Sequence, residues 1–219
     1  MKLAFKTILI APLDWGLGHA TRSIPVIRSL IKANNTVIIA TSGNQKSLLQ
    51  KEFPSLKFIE LFGYNIHYTK SGRSLPIALL KQAFKIFRCI KQEKKWLEKI
   101  IDKEEIDILI SDNRFGLSTQ KVPCVFITHQ LQIQAQNKWL EKIIQSINYS
   151  YINQFTECWV PDFEGANNIA GRLSHPSVMP IIPVKYIGIL SRFDNKNKQQ
   201  VYTYDCCFLL SGPEPQRTL

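Results

Sequence analysis

Short apolar runs and longer amphipathic stretches alternate along the chain. The runs Lys6–Pro12, Thr36–Thr41, Leu56–Leu61, Asp107–Ser111, Val122–Thr128, Glu157–Pro161 and Val184–Ile189 are nearly continuous, the pattern of strands buried on both faces. Between them, His19–Ala33 carries Ile24, Ile27, Leu30 and Ile31 at helical spacing, and Lys46–Phe53 predicts a short helix ended by Pro54. Ser74 caps a long helix with Pro76 in its first turn, running to about Asp102; Gln132–Phe155 and Glu164–Leu173 also predict helices. The polar, aromatic stretch 62–74 is too long for a simple connector and predicts a functional loop. Strands of this type alternating with helices predict an α/β fold over residues 1–193, a Rossmann-like parallel sheet with helices on both faces. The polar stretch beginning Asp194–Gln200 predicts a linker over 194–204. Asp205–Leu210 then reads as a new buried strand, so 205–219 is expected to begin a second domain and stop just inside it.

Composition narrows the class. With 219 residues, 45% of them hydrophobic and 21% charged, the chain can bury a substantial core, which excludes a mostly disordered protein. No apolar run reaches the ~18 residues that span a bilayer. Met1–Pro12 leads into Gly-Leu-Gly-His, not into a small-residue cleavage site, so it predicts a strand and not a signal peptide. The five cysteines (Cys89, Cys124, Cys158, Cys206, Cys207) lack C-x-x-C spacing and are expected to be reduced residues of a cytosolic protein.

Twenty-eight basic and 17 acidic residues give +11, unevenly placed. Residues 70–103 hold ten basic side chains against Glu93, Glu98 and Asp102, a local +7 that attracts phosphate on nucleic acid, on an anionic membrane or on a diphosphate substrate. In the long helix, Leu79, Ala83, Ile86, Ile90, Leu97 and Ile101 form one apolar stripe. Leu80, Phe84 and Phe87 add a second row, flanked by Lys81, Lys85 and Arg88, which suits contact with an anionic membrane surface or packing beneath the 62–74 loop. No nucleic-acid motif accompanies the charge, so nucleic acid is not an expected partner.

Candidate chemistry gathers at strand ends. Trp15-Gly16-Leu17-Gly18-His19-Ala20-Thr21-Arg22 joins the first strand to the first helix. There, Gly16 and Gly18 allow close approach, helix N–H groups face a phosphate, and His19 stands at the crevice. The same residues also suit a tight turn with a capping histidine. Thr21 occupies the third position of G-x-G-x-x-G, and Thr41-Ser42 stand where a ribose-binding acid would end the second strand, which disfavours NAD. Ser111-Asp112-Asn113-Arg114 ends another strand; Asp112, Asn113 and Arg114 suit acceptor hydroxyls or phosphate, or equally a turn and a salt bridge. His129 and Gln130 follow a third strand end, whereas His67 and His175 have no constellation around them.

Gly16-x-Gly18-His19-x-x-Arg22, His129-Gln130-Leu131 followed by Asn137-Lys138-Trp139-Leu140, and Ser211-Gly212 opening a second domain together resemble the GT-B glycosyltransferases. Among these the likeness is to the MurG-like (glycosyltransferase family 28-like) N-acetylglucosaminyltransferases that act on lipid-linked acceptors. The resemblance implies an amino-terminal domain that binds the acceptor and a carboxy-terminal domain that binds a UDP-sugar. It further implies His19 as general base, Arg22, Asp112, Asn113, Arg114, His129 and Gln130 as substrate contacts, and Ser211, Gly212 and Thr218 as donor-phosphate contacts. No cofactor is expected, and the absence of an Asp-x-Asp triplet is consistent with metal-independent transfer. The expected location is the cytoplasmic face of a membrane, and the chain alone is expected to have little or no activity. Gly-x-Gly-His-x-x-Arg also resembles the loop of UDP-sugar hydrolases, and a non-catalytic lipid- or partner-binding remnant is a third reading.

Overall fold

The computed structural model describes residues 5–64, 75–134 and 137–193, with backbone alone for 75–83. Among the described residues seven strands form a single sheet: β1 (Thr7–Pro12), β2 (Thr36–Thr41), β3 (Lys57–Glu60), β4 (Ile108–Asp112), β5 (Cys124–Ile127), β6 (Glu157–Val160) and β7 (Val184–Tyr186). All are parallel, in the order β3-β2-β1-β4-β5-β6-β7. Ile8, Leu9, Ile10 and Ala11 of β1 are wholly buried, as are Leu109 and Ile110 of β4, because helices cover both sides of these strands.

Helices α1 (Leu17–Lys32) and α2 (Gly43–Glu52) cover one face, packing Ile24, Ile27 and Leu49 against Ile8, Ile10 and Ile39. Helices α3 (Leu75–Lys103) and α4 (Lys138–Ile152) cover the other, with Leu97, Ile101 and Ile152 against Leu9, Leu109 and Phe126. The chain order reverses between β1 and β4: the connection after β1 runs toward β2 on one side, and strands on the other side follow β4. A crevice opens at the carboxyl ends of strands where such a reversal occurs.

Two predicted helices differ from the structure. Helix α4 begins at Lys138, six residues later than the predicted start at Gln132. Residues 131–133 are drawn instead to neighbouring groups: the Leu131 and Gln132 amides donate to Leu173 O, and the Ile133 amide donates to Gln145 Oε1. Asn137 then starts the helix, its Oδ1 accepting from the amides of Trp139 and Leu140. Glu164–Leu173 is a loop ending in one 3₁₀ turn, Gly171–Leu173. Its organiser is the buried carboxylate of Asp162, which accepts from the amides of Phe163, Ile169 and Ala170 and from Ser174 Oγ, supplying the backbone partners a helix would have supplied. The linker 194–204 and the segment 205–219 lie outside the described residues, as do His67 and most of the 62–74 loop.

Candidate functional site

At the β1/β4 reversal, four side chains from three strand ends converge. Register places Pro12 opposite Asp112, so the loop entering α1 passes directly over the end of β4. Gly16 makes that entry at φ 74° and ψ 179°, a conformation essentially confined to glycine, and caps α1 without a side-chain hydrogen bond. Gly18 follows in the first turn, where an added Cβ would meet open space. The loop is held from α2: Gln45 Nε2 donates to Leu13 O at 2.6 Å and to Gly16 O at 2.7 Å, while Gln45 Oε1 accepts from Thr41 Oγ1 at 3.2 Å. An isolated glutamine in a polar helix, as Gln45 is, carries no sequence signal for this role. Only the packing of α2 against the loop reveals it.

Asp112 is almost fully buried (1% exposed) at the centre of the cluster. His19 Nδ1 lies 3.0 Å from its Oδ2, Arg22 Nε donates to the same oxygen at 2.8 Å, and Arg22 Nη2 donates to Oδ1. Burial alone would raise the Asp112 carboxyl, but the hydrogen bonds from His19 and Arg22 and their charges outweigh it and hold the group below the ordinary carboxylate value. Asp112 is therefore the fixed negative charge of the site.

Arg22 also reaches His129, with Nη1 3.1 Å from Nδ1. A guanidinium can only donate, so this His129 nitrogen accepts and the ring proton sits on Nε2. Burial, then the charge of Arg22 and the neighbouring His19 ring, lower the His129 pKa against the opposing pull of Asp112. His19 Nδ1 lies within 2.8 Å of Arg22 Nη2 as well as near the carboxylate. Nδ1 therefore faces both a donor, Arg22 Nη2, and an acceptor, Asp112 Oδ2; in the tautomer that donates to Asp112, Nε2 carries the ring's lone pair. The carboxylate thus fixes the orientation of the ring, an arrangement that acid–base chemistry can use.

The neighbouring candidates part company at the end of β4. Asn113 turns the chain in the left-handed region (φ 56°), and Arg114 then runs into the protein, 0% exposed. Its Nε donates to Pro12 O at 2.9 Å, and its Nη1 donates to Glu93 Oε1 at 2.8 Å and to Phe62 O at 3.2 Å. Held in this way, Arg114 does not join the His19 cluster; of the two roles its position suits, substrate contact and salt bridge, the structure shows the salt bridge. Gln130 follows β5, its amide donating to Thr128 Oγ1 at 3.0 Å. Ser211, Gly212 and Thr218 lie outside the described residues.

Beside the cluster, a cavity of about 370 Å³ is lined by Asp14, Gly16, Leu17, Ser42 and Asn44, so the first turn of α1 forms part of its wall. Among the described residues no group of three or more His, Cys, Asp or Glu is placed to hold a metal ion.

The family model of glycosyl transferase family 1 matches residues 7–146, more than half of the chain and every strand and helix that builds this cluster. The chain belongs to glycosyl transferase family 1. No curated protein matches the sequence. Among solved structures, Phytolacca americana UGT2 complexed with UDP-2fluoro-glucose and pterostilbene is 12% identical, with a TM-score of 0.57, over 84% of this chain and 54% of that one. LpCGTa in complex with UDP is 13% identical, with a TM-score of 0.53, over 85% of this chain and 53% of that one. A UDP-glucosyltransferase from Polygonum tinctorium capable of glucosylating indoxyl, in complex with 3,4-dichloroaniline, is 12% identical, with a TM-score of 0.53, over 92% of this chain and 56% of that one. At these identities the likeness is one of fold, and this family 1 chain spans about half the length of the structures it matches.

Proposed function

We propose that this chain is the acceptor-binding half of a glycosyltransferase that moves a sugar from a UDP-linked donor to an acceptor hydroxyl, with His19 as general base. The observation that carries this reading is the His19 imidazole held 3.0 Å from the buried Asp112 carboxylate at the strand-order reversal. In the step, the hydroxyl oxygen attacks the anomeric carbon and a new C–O bond forms. The bond from that carbon to the diphosphate breaks, its electron pair leaving with UDP, and the hydroxyl proton passes to His19 Nε2. Asp112 then balances the imidazolium charge, and the uncapped N-terminus of α1 at Gly16 and Gly18 offers N–H groups to negative charge in the crevice. The transfer is read as metal-independent, and Arg22 and His129 keep the histidine–aspartate pair in register.

The finer reading names an N-acetylhexosamine as the sugar and a lipid-linked or envelope-glycan acceptor, as in MurG-like enzymes. The place of reaction is then the cytoplasmic face of a membrane. Two exposed aromatics on α3, Phe84 and Phe87, with Lys85 and Arg88 beside them, support a membrane-side acceptor; the side chains of Leu80 and Lys81 lie outside the described residues. Among the described residues no helix is long and apolar enough to cross a membrane.

The test is transfer from UDP-N-acetylglucosamine to an undecaprenyl-diphosphate-linked sugar by the chain extended through a donor domain. His19→Ala should lower the rate by about 10²–10⁴-fold. An unchanged rate would remove His19 from the chemistry, and release of free sugar without acceptor would make the enzyme a hydrolase. The 219-residue chain by itself should transfer little or no sugar.

A further inference from the structure

Helix α4 turns its apolar side to solvent. Trp139, Leu140, Ile143, Ile144 and Ile147 are 71%, 44%, 36%, 36% and 41% exposed. At ~100° per residue they fall within about 140° of the helix circumference, a single stripe. The opposite side carries Glu141, Gln145 and Asn148 toward the protein. The inner side is polar over the first turns, before Ile152 packs on the core, because the irregular segment behind β5 needs hydrogen-bond partners: Gln145 Nε2 donates to Leu131 O at 2.8 Å and Gln145 Oε1 accepts from the Ile133 amide at 2.7 Å. An ordinary surface helix has the reverse polarity.

The stripe continues onto α3. Tyr151, near the end of α4, meets Phe87 with ring centroids 6.4 Å apart, and Phe87 leads to the exposed Phe84. The charges around this surface have one sign. Lys85, Arg88 and Lys91 on α3 and Lys138 and Lys142 on α4 are all exposed, whereas the single acid within residues 84–92 and 137–150 is Glu141, half-buried on the inner side. A contiguous apolar surface of this kind marks an interaction site. A second copy of the chain is a poor occupant, since a two-fold contact would set like-charged lysines against each other.

We propose that α4, with Phe84 and Phe87 of α3, docks on an anionic lipid bilayer. Trp139 and the isoleucines enter the headgroup boundary while the lysines meet lipid phosphate. The proposal deepens the membrane-side acceptor reading and rests on it, but its test needs no turnover. The purified chain is sedimented with vesicles of phosphatidylglycerol and phosphatidylcholine, and with phosphatidylcholine alone, at low and high salt. Wild type should bind the anionic vesicles only, less at high salt, with a blue shift of tryptophan emission that Trp139→Phe diminishes. Ile143→Asp/Ile147→Asp should lower binding at least tenfold, with circular dichroism and Tm unchanged; Ile143→Ser/Ile147→Ser serves if the aspartates disturb folding. Binding indifferent to the α4 substitutions overturns the proposal. So does binding lost only in Phe84→Asp/Phe87→Asp, which would leave the α3 reading standing alone. A concentration-dependent dimer abolished by the α4 substitutions would assign the face to a second copy instead. Failed transfer with vesicle binding intact would remove the proposed reaction and leave the docking surface.

Discussion

Asp112 and Arg114 lie two residues apart at the end of β4, and each is half of a buried ion pair, yet the two pairs serve opposite ends. Asp112 faces α1, where Arg22 and His19 share its two oxygens and one imidazole edge remains available to the crevice. Arg114 faces α3, where Glu93 is also 0% exposed. Glu93 Oε2 accepts from Tyr64 Oη at 2.8 Å and from the Gly116 amide at 3.0 Å, and Arg114 Nη2 lies 3.8 Å from Asp14 Oδ1. Burial pushes the Glu93 carboxyl upward, against the pull of Arg114 and the Tyr64 hydroxyl, and it drives the Tyr64 phenol far above its ordinary value. Here every hydrogen-bond partner is internal, and Arg114 Nη2, which has none, is itself buried. A buried charge pair becomes a site when one member keeps an unsatisfied edge toward solvent, and becomes a fastener when neither does.

The comparison breaks most sharply on activity. Asp112→Asn leaves the cluster's shape but removes the charge that balances a protonated His19, so transfer by the donor-extended chain should fall by about 10²-fold or more, approaching the His19→Ala loss. Arg114→Met should act on stability instead, lowering unfolding free energy by about 3–5 kcal/mol in urea titrations because the buried Glu93 loses its cationic partner. Adding Glu93→Leu to Arg114→Met should recover much of that loss. A transfer defect in a still-folded Arg114→Met protein would erase the distinction between the two pairs.

Acid separates the regions further. Asp112 and Asp162 both have lowered folded pKa values; at Asp162 burial opposes the shift and the Ser174 hydroxyl with three backbone amides produces it. The stability they contribute is complete above the unfolded value of about 3.9 and is lost as pH falls through their lower folded values. His129, also lowered, begins to cost stability below its unfolded value of about 6.5, where the unfolded chain takes up the proton first. Glu93, whose folded value is raised, acts with the opposite sign as pH falls, so the His129 contribution is read as the difference in Tm between wild type and His129→Gln, growing below about pH 6.5, with a steep decline common to both below about pH 4. The smallest effect is expected at Gly16→Ala. The φ of 74° should cost about 1–3 kcal/mol and shift the loop carrying His19, read as lower activity at nearly unchanged fold.

Much of the fold was legible in the chain because strands buried on both faces must be apolar throughout. Thr36–Thr41 matches the predicted run, and β1 and β4 differ from theirs by about one residue. The two misread helices share a cause, since in each a single polar side chain, Gln145 or Asp162, supplies distant hydrogen-bond partners that no local periodicity records. The site was half legible. Gly16, His19 and His129 stand at strand ends where a parallel sheet places ligands, but the chain could not say that Asp112 would meet His19 across 93 residues while Arg114 turned away.

The sequence by itself determined a parallel α/β sheet, the loop that carries the histidine, and a strongly basic long helix, because periodicity, glycine placement and charge are local properties. Only the tertiary structure decided which carboxylate is paired with which arginine, that Gln45 holds the loop, and that α4 faces outward with its apolar side. Those outcomes depend on strand order and on which buried polar groups find partners, and both are settled by contacts between residues far apart in the chain.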